Sequence, residues 1–213
     1  MPIVNYATRE VHLKIVLHGP PSSGRATTLA KLHASNQGRA SLSGLAIPAK
    51  EFGEALSFSF LADAPNSFGF GTRFEFHTLS GPLSSGRSLQ LLLRDADGIV
   101  LVADSQWEKL EDNVKSLQEI EENLKKEDAT LEDVPCVLQY NKRDLPDIAP
   151  ANYIDFLLNN RPNPAPVFET VATTGENLAA MQQALMERVL ERLAESYPRE
   201  PAAVAEPVAA SEG

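Results

Sequence analysis

The sequence predicts an α/β fold: a mostly parallel sheet covered by helices on both faces. Two observations predict it. Short runs of consecutive apolar residues alternate with longer segments of helical period, and strands buried on both faces read as near-continuous Val/Ile/Leu runs. Each candidate ligand-binding segment also falls directly after one of those runs, where open parallel sheets bind their ligands.

The elements follow in order. Val11–His18 reads as a buried strand, and Thr27–Ala34 opens a helix just after a glycine-containing loop. Ser35–Ala55, rich in Gly, Ser and Ala, has little periodicity and reads as a loop. Leu56–Leu61 and Arg73–Leu79 alternate apolar and polar residues as half-buried strands do, with a turn at Pro65–Gly69 between them. Leu89–Arg94 is predicted helical and Ile99–Ala103 is an apolar strand. The stretch Trp107–Lys126 places Leu110, Val114, Leu117, Ile120 and Leu124 at helical spacing. A buried strand at Val134–Tyr140, a helix at Ala151–Asn159, a short strand at Val167–Thr170 and a helix at Asn177–Ser196 complete the order. The expected division is one domain over residues 1–196 and a disordered Pro/Ala/Glu tail over 197–213.

Composition narrows the function classes. A net charge of −10 over 213 residues argues against a nucleic-acid surface, which needs clustered Lys and Arg. A single cysteine, Cys136, lies in an apolar run and reads as a buried hydrophobe in a reducing compartment. Neither a long apolar segment nor a signal peptide is present; Pro2 stands where myristoylation needs Gly, and no cysteine lies near residue 213 for prenylation. The expectation is a cytoplasmic protein without a lipid anchor. His12, His18, His33 and His77 lack metal-ligand spacing, with His18 and His77 read as polar caps at strand ends. Asp95 and Asp97 read as helix-terminal and turn residues, not a catalytic pair, and Glu119–Glu122 as the solvated face of a helix.

The chemistry concentrates in Gly19-Pro20-Pro21-Ser22-Ser23-Gly24-Arg25-Ala26-Thr27. This is the frame G-x-x-x-x-G-K-[ST] of a phosphate-binding loop, in which backbone amides cradle phosphate, Lys reaches the terminal phosphates and a hydroxyl ligates Mg²⁺. Gly19 and Gly24 are kept, and the amides of Ser22, Ser23, Gly24, Arg25 and Ala26 remain available as an anion nest at a helix N-terminus. Arg25 replaces the lysine with a wider planar fork. Ala26 replaces the hydroxyl, so the loop offers Mg²⁺ no ligand there.

The loop, together with Asn141-Lys142-Arg143-Asp144 after the fifth predicted strand and Val171-Ala172-Thr173 after the sixth, resembles the Ras-like small GTPases. Lys14-Ile15-Val16, Thr72-Arg73-Phe74, Val102–Gln106 and Gln139–Pro146 are similar to the bacterial MglA-type polarity and gliding-motility GTPases, over most of residues 1–193. The resemblance implies a Ras-like P-loop domain that binds GTP or GDP. It implies Asp144 as acceptor for the two N–H donors of guanine, Asn141 and Lys142 as walls of the purine pocket, and Ala172 with Thr173 as the loop donating to guanine O6. It also implies Thr27 toward the α-phosphate, Gly81 with an amide for the γ-phosphate, and a roadblock-domain (MglB-type) partner. Against the family pattern, Ser80-Gly81-Pro82 lacks the glutamine that orients water, and Ser43–Ala55 lacks the switch threonine and arginine, with Lys50 its one cation. The resulting expectation is a guanine-nucleotide-binding regulator with little or no hydrolysis. A GTPase completed by a partner in trans and a nucleotide-free interaction module remain as alternatives.

Overall fold

In the computed structural model, which describes residues 2–45, 55–62, 69–79 and 86–196, the sheet is centred on the strand Glu10–His18. Strands β1 (Ile3–Asn5), β2 (Glu10–His18), β3 (Ala55–Leu61), β4 (Gly71–Leu79), β5 (Gly98–Asp104), β6 (Cys136–Asn141) and β7 (Val167–Glu169) form one sheet. Its order is β3-β4-β2-β5-β6-β7. All pairings along it are parallel except β3 with β4. The central strands are the apolar runs of the sequence: every residue of β5 and β6 is buried.

Helices α1 (Arg25–Ser35), α2 (Arg87–Leu93), α3 (Leu110–Lys125), α4 (Ala151–Leu158) and α5 (Leu178–Ser196) cover both faces. Leu29 and Leu32 of α1 pack with Met181, Leu185 and Val189 of α5 over Leu13, Ile15 and Leu17. Leu92, Ile120, Leu124 and Ile154 form the second core, over Val16, Leu101 and Leu138. On the first face β3 and β4 contribute the cross-strand pairs Phe58–Phe76 and Phe60–Phe74, with Phe58 and Phe76 stacked at 5.1 Å. The opposite face of β4 carries charge: Arg73 pairs with Glu10 at 2.8 Å and His12 with Glu75 at 2.6 Å. The alternating pattern of these two strands therefore reports their half-burial.

Strand β1 was not expected. It has three residues, too few for a period to register, and it pairs Ile3–Asn5 antiparallel with Glu10–His12, the part of β2 that β5 leaves unpaired. The helix expected from Trp107 is also modified. Trp107–Lys109 form a single 3₁₀ turn, because Trp107 N–H donates to Asp147 O and Gln106 bridges to Ile148 before α3 begins. Within the segment expected as loop, Ser43 exchanges hydrogen bonds with Ser59 and Ala40 O accepts from Leu61 N–H, so residues 40–43 cover the exposed edge of β3. Residues 46–54, most of the Pro65–Gly69 turn and the 197–213 tail lie outside the described residues.

Asp97 is more than a turn residue. Its Oδ2 accepts Lys14 N–H at 2.9 Å while its own N–H donates to Lys14 O, closing the junction between α2 and β5 on β2. Burial pushes its carboxyl up to about 6. A carboxyl whose folded pKa exceeds its unfolded value holds a proton more tightly when folded, so its ionisation opposes folding as pH rises. Asp97→Asn, which keeps the acceptor, is therefore expected to raise the melting temperature by several degrees at pH 7.5. A shift of this size corresponds to at most ~3 kcal/mol. The gain should shrink between pH 6 and pH 4, and thermal melts across that range measure it; a gain independent of pH would refute the assignment.

Candidate functional site

At the carboxyl end of β2 the chain turns through Gly19–Gly24 into α1. Gly24 has φ +102°, and the helix has no side-chain cap, so its first amides face outward from a positive helix end. A Cβ on Gly24 would collide with Asn141 Nδ2, and one on Gly19 with the Val102 carbonyl. The two glycines are thus required by close approach of the loop to β6 and β5. Ser22, at φ +64°, makes the left-handed step between them.

Asn141 at the end of β6 joins this loop to the others. Its Nδ2 donates to Ser23 O at 2.7 Å, and its Oδ1 accepts from Ala172 N–H at 2.9 Å and from Thr170 Oγ1 at 3.2 Å. One buried amide therefore holds the glycine loop, the end of β6 and the Thr170–Thr173 loop together. Beneath it Gln139 Nε2 donates to Thr28 Oγ1 and Thr170 Oγ1, tying α1 to β6 and the chain after β7.

A cavity of about 290 Å³ opens over this junction. Its walls are Ser22, Gly24 and Thr27 on one side, and Asn141, Lys142, Asp144, Leu145, Ala172 and Thr173 on the other. Eight residues singled out in the sequence thus share one wall, although they come from segments more than a hundred residues apart. Gly19, Ser23 and Arg25 are buried in the loop itself, while Ala26 is exposed at the helix start. Gly81, with Ser80, Pro82 and Lys50, lies outside the described residues.

Three contacts were not anticipated from the sequence. The Ala172 N–H, expected to be available to a base, is already donated to Asn141. The Lys142 ammonium is engaged by Asp104 at 2.6 Å, and Asp104 is 0% exposed. Asn113 holds Asp104 by accepting its N–H and donating to its carbonyl. The sequence signal for Asp104 was a single carboxylate ending an otherwise apolar strand. Third, Glu119 is not simply solvated: its Oε2 lies 3.2 Å from Nε2 of the buried His18. His18 accordingly sits under the loop as a bonded core residue, and His77 lies inside β4, 3.7 Å from Glu75, instead of capping a strand end.

Polar groups inside the loop point to an anion. Ser23 Oγ and Arg25 Nη1 are buried and have no hydrogen-bond partner among the described residues. Leaving such groups unpaired costs about 1–3 kcal/mol each, and an acceptor-rich phosphate would pair them. The residues present therefore fit the phosphates of a nucleotide. At the position where the motif carries a hydroxyl ligand for Mg²⁺, Ala26 has no side-chain oxygen. Cys136 is buried far from this end, with its thiol pushed up to about 11 by burial. Among the described residues no helix is long and apolar enough to cross a membrane.

A sheet of this order, with a glycine loop between its central strand and first helix, is the Ras-like phosphate-loop fold. No family model matches the sequence. The chain is 36% identical over 195 residues to the mutual gliding-motility protein MglA of Myxococcus xanthus (strain DK1622), across 91% of this chain and 98% of that protein. It belongs to the MglA-type family of small GTPases, whose members bind GTP and GDP.

Asn141→Ala removes the donor to Ser23 and the acceptor for Ala172 and Thr170 together. It is expected to lower unfolding free energy by about 2–4 kcal/mol, from several buried groups left unpaired at once. Urea denaturation measures this, and a loss below about 0.5 kcal/mol, the ordinary surface effect, would contradict the bridging role.

Proposed function

We propose that the chain binds guanine nucleotide in the cavity between the glycine loop and the Asn141–Asp144 loop, and hydrolyses it slowly or not at all. The observation that carries this reading is the common wall formed by Ser22, Gly24, Thr27, Asn141, Lys142, Asp144, Ala172 and Thr173. In this reading Asp144 accepts the two N–H donors of the guanine edge. The Lys142 stem and Asn141 shape the purine side, with the Lys142 head held by Asp104. The Ala172 N–H is shared between Asn141 and guanine O6, with Thr173 beside it. Loop amides and the Arg25 guanidinium meet the phosphates, Thr27 faces the α-phosphate, and the Gly81 amide is the candidate for the γ-phosphate.

Hydrolysis lacks several supports. Ala26 withholds a Mg²⁺ ligand, Pro82 has no side-chain group to orient water, and Ser43–Ala55 holds no arginine. An arginine finger is worth about 10³–10⁵ in rate, so its absence outweighs modest gains in binding. The cellular role proposed is that of an MglA-like regulator of polarity or motility, acting in the cytoplasm through protein partners. A roadblock-domain protein of the MglB type is the first to test.

Calorimetry with GDP, GTP and ATP tests specificity. Guanine nucleotides are expected to bind more tightly than ATP, and Asp144→Ala to weaken them by about one to two decades, from the ~1–3 kcal/mol of an unpaired buried group. Equal affinity for ATP would remove the guanine assignment, and no binding at all would favour the nucleotide-free interaction module.

Chelation and turnover test the second half. Nucleotide release is expected to respond weakly to EDTA. Single-turnover phosphate release should stay below that of an unassisted Ras-like GTPase, even in Arg25→Lys/Ala26→Thr. A fast wild-type rate, or one restored by an added MglB-type partner, would promote the active enzyme completed in trans.

A further inference from the structure

Of the four residues Asn141–Asp144, Arg143 alone has no part in the reading above. Its side chain is nevertheless only 18% exposed, and its Nε lies 2.7 Å from Oε2 of Glu169, the last residue of β7. Its Nη1 donates at 2.8 Å to the carbonyl of the buried Ala149, two residues before α4. The backbone N–H of Arg143 donates to Thr170 O at 3.2 Å. One residue therefore ties this loop to β7, to the chain entering α4 and to the Thr170–Thr173 loop.

Its neighbours complete the clamp. Lys142, at φ +66°, carries its ammonium to Asp104 at the end of β5, and β5 and β7 flank β6 on opposite sides. Leu145 N–H closes the turn on Lys142 O at 3.2 Å, and Ala149 N–H donates to Ser105 O at 2.8 Å. Asp144 lies between these anchors and is itself exposed, so its carboxylate takes its direction from the turn that carries it. An ion pair whose carboxylate is half exposed adds little to stability. What the planar guanidinium adds is direction, because it donates along fixed lines to a side chain and to a main-chain carbonyl at once; an ammonium is a point charge with no such plane.

Building on the nucleotide-binding reading above, we infer that Arg143 is a positioning residue for base selection. By holding the turn between β7 and the entry to α4, it aims the Asp144 carboxylate so that both oxygens meet the guanine edge. The ligand class selected is a purine nucleotide with a 2-amino group beside N1–H. Two simultaneous hydrogen bonds need one orientation of the carboxylate, whereas a single bond tolerates tilt. Loosening the turn therefore costs the 2-amino contact first.

Calorimetry on the full chain with GDP and with inosine diphosphate, which lacks the 2-amino group, tests this. The wild type is expected to favour GDP by about tenfold or more, the worth of a hydrogen bond to a charged group. Arg143→Met keeps an apolar stem and removes the fork. It should weaken GDP binding about tenfold and inosine diphosphate binding less than about threefold, so that the preference largely disappears. Arg143→Lys keeps the charge and should not restore it. No preference in the wild type, equal losses for the two nucleotides, or full restoration by lysine would each overturn the inference. A wild type that binds no GDP would refute the nucleotide reading, and a ligand-free arm then decides whether Arg143 holds the turn. In amide exchange, Arg143→Met should accelerate Leu145 and Ala149 at least about fivefold and leave Leu138 in β6 unchanged. No acceleration, or equal acceleration at Leu138, would overturn the positioning role.

Discussion

Asn141 has one side-chain amide with which to satisfy three separate stretches of backbone and side chain. Because Nδ2 reaches Ser23 O while Oδ1 takes Ala172 N–H and the Thr170 hydroxyl, the distance between the glycine loop and the Thr170–Thr173 loop is set by the width of that amide. The loop approaches so closely that Gly24 has no room for a Cβ. Every other feature of the cavity is placed relative to this contact: Asp144 and Lys142 follow Asn141 directly, and Ser22 and Thr27 flank the segment it holds. A hydrogen-bonded amide buried at a sheet end is directional and costly to break, so it defines a single arrangement where apolar packing alone would tolerate several.

The electrostatics of this end of the sheet are organised in pairs. Lys142 is held by Asp104, and Asp104 by Asn113; the Glu119 carboxylate lies 3.2 Å from Nε2 of the buried His18. The buried Asp104 thus has its counter-charge on a different element, as low local dielectric demands. The Lys142 ammonium is thereby fixed in place in a chain whose net charge is −10. The uncapped first amides of α1 and the buried Ser23 and Arg25 groups then supply the local attraction for an anion.

The departures from the usual phosphate loop are coherent when read against these contacts. Arg25 is buried at the start of α1, while Ala26 stands exposed with no side-chain oxygen for a cation. The two substitutions therefore act on different functions: one preserves the charge on the anion side, the other removes a metal ligand. The 36% identity to a gliding-motility MglA runs across nearly the whole of both chains, so these changes sit in a chain that matches the family over almost its full length.

By itself the sequence determined the α/β class, the order of strands and helices from β2 onward, and the segments whose residues line the candidate cavity. Buried parallel strands must be apolar throughout, and a loop that turns at glycine or ends in Asn-Lys-Arg-Asp carries its chemistry in consecutive residues. Cys136 was legible for the same reason, as part of an apolar run. What local pattern does not carry, the tertiary structure decided. Strand β1 exists only because β2 overhangs β5, and the helix expected at Trp107 starts with a 3₁₀ turn because Asp147 takes the Trp107 N–H. Asp104 was visible as a motif residue but not as the partner of Lys142. Glu119 read as solvated because its neighbours on α3 are acidic, yet it meets His18 from 101 residues away. Periodicity reports which face of an element is covered; it holds no information about which charge on another element lies opposite, and that pairing is what arranges this site.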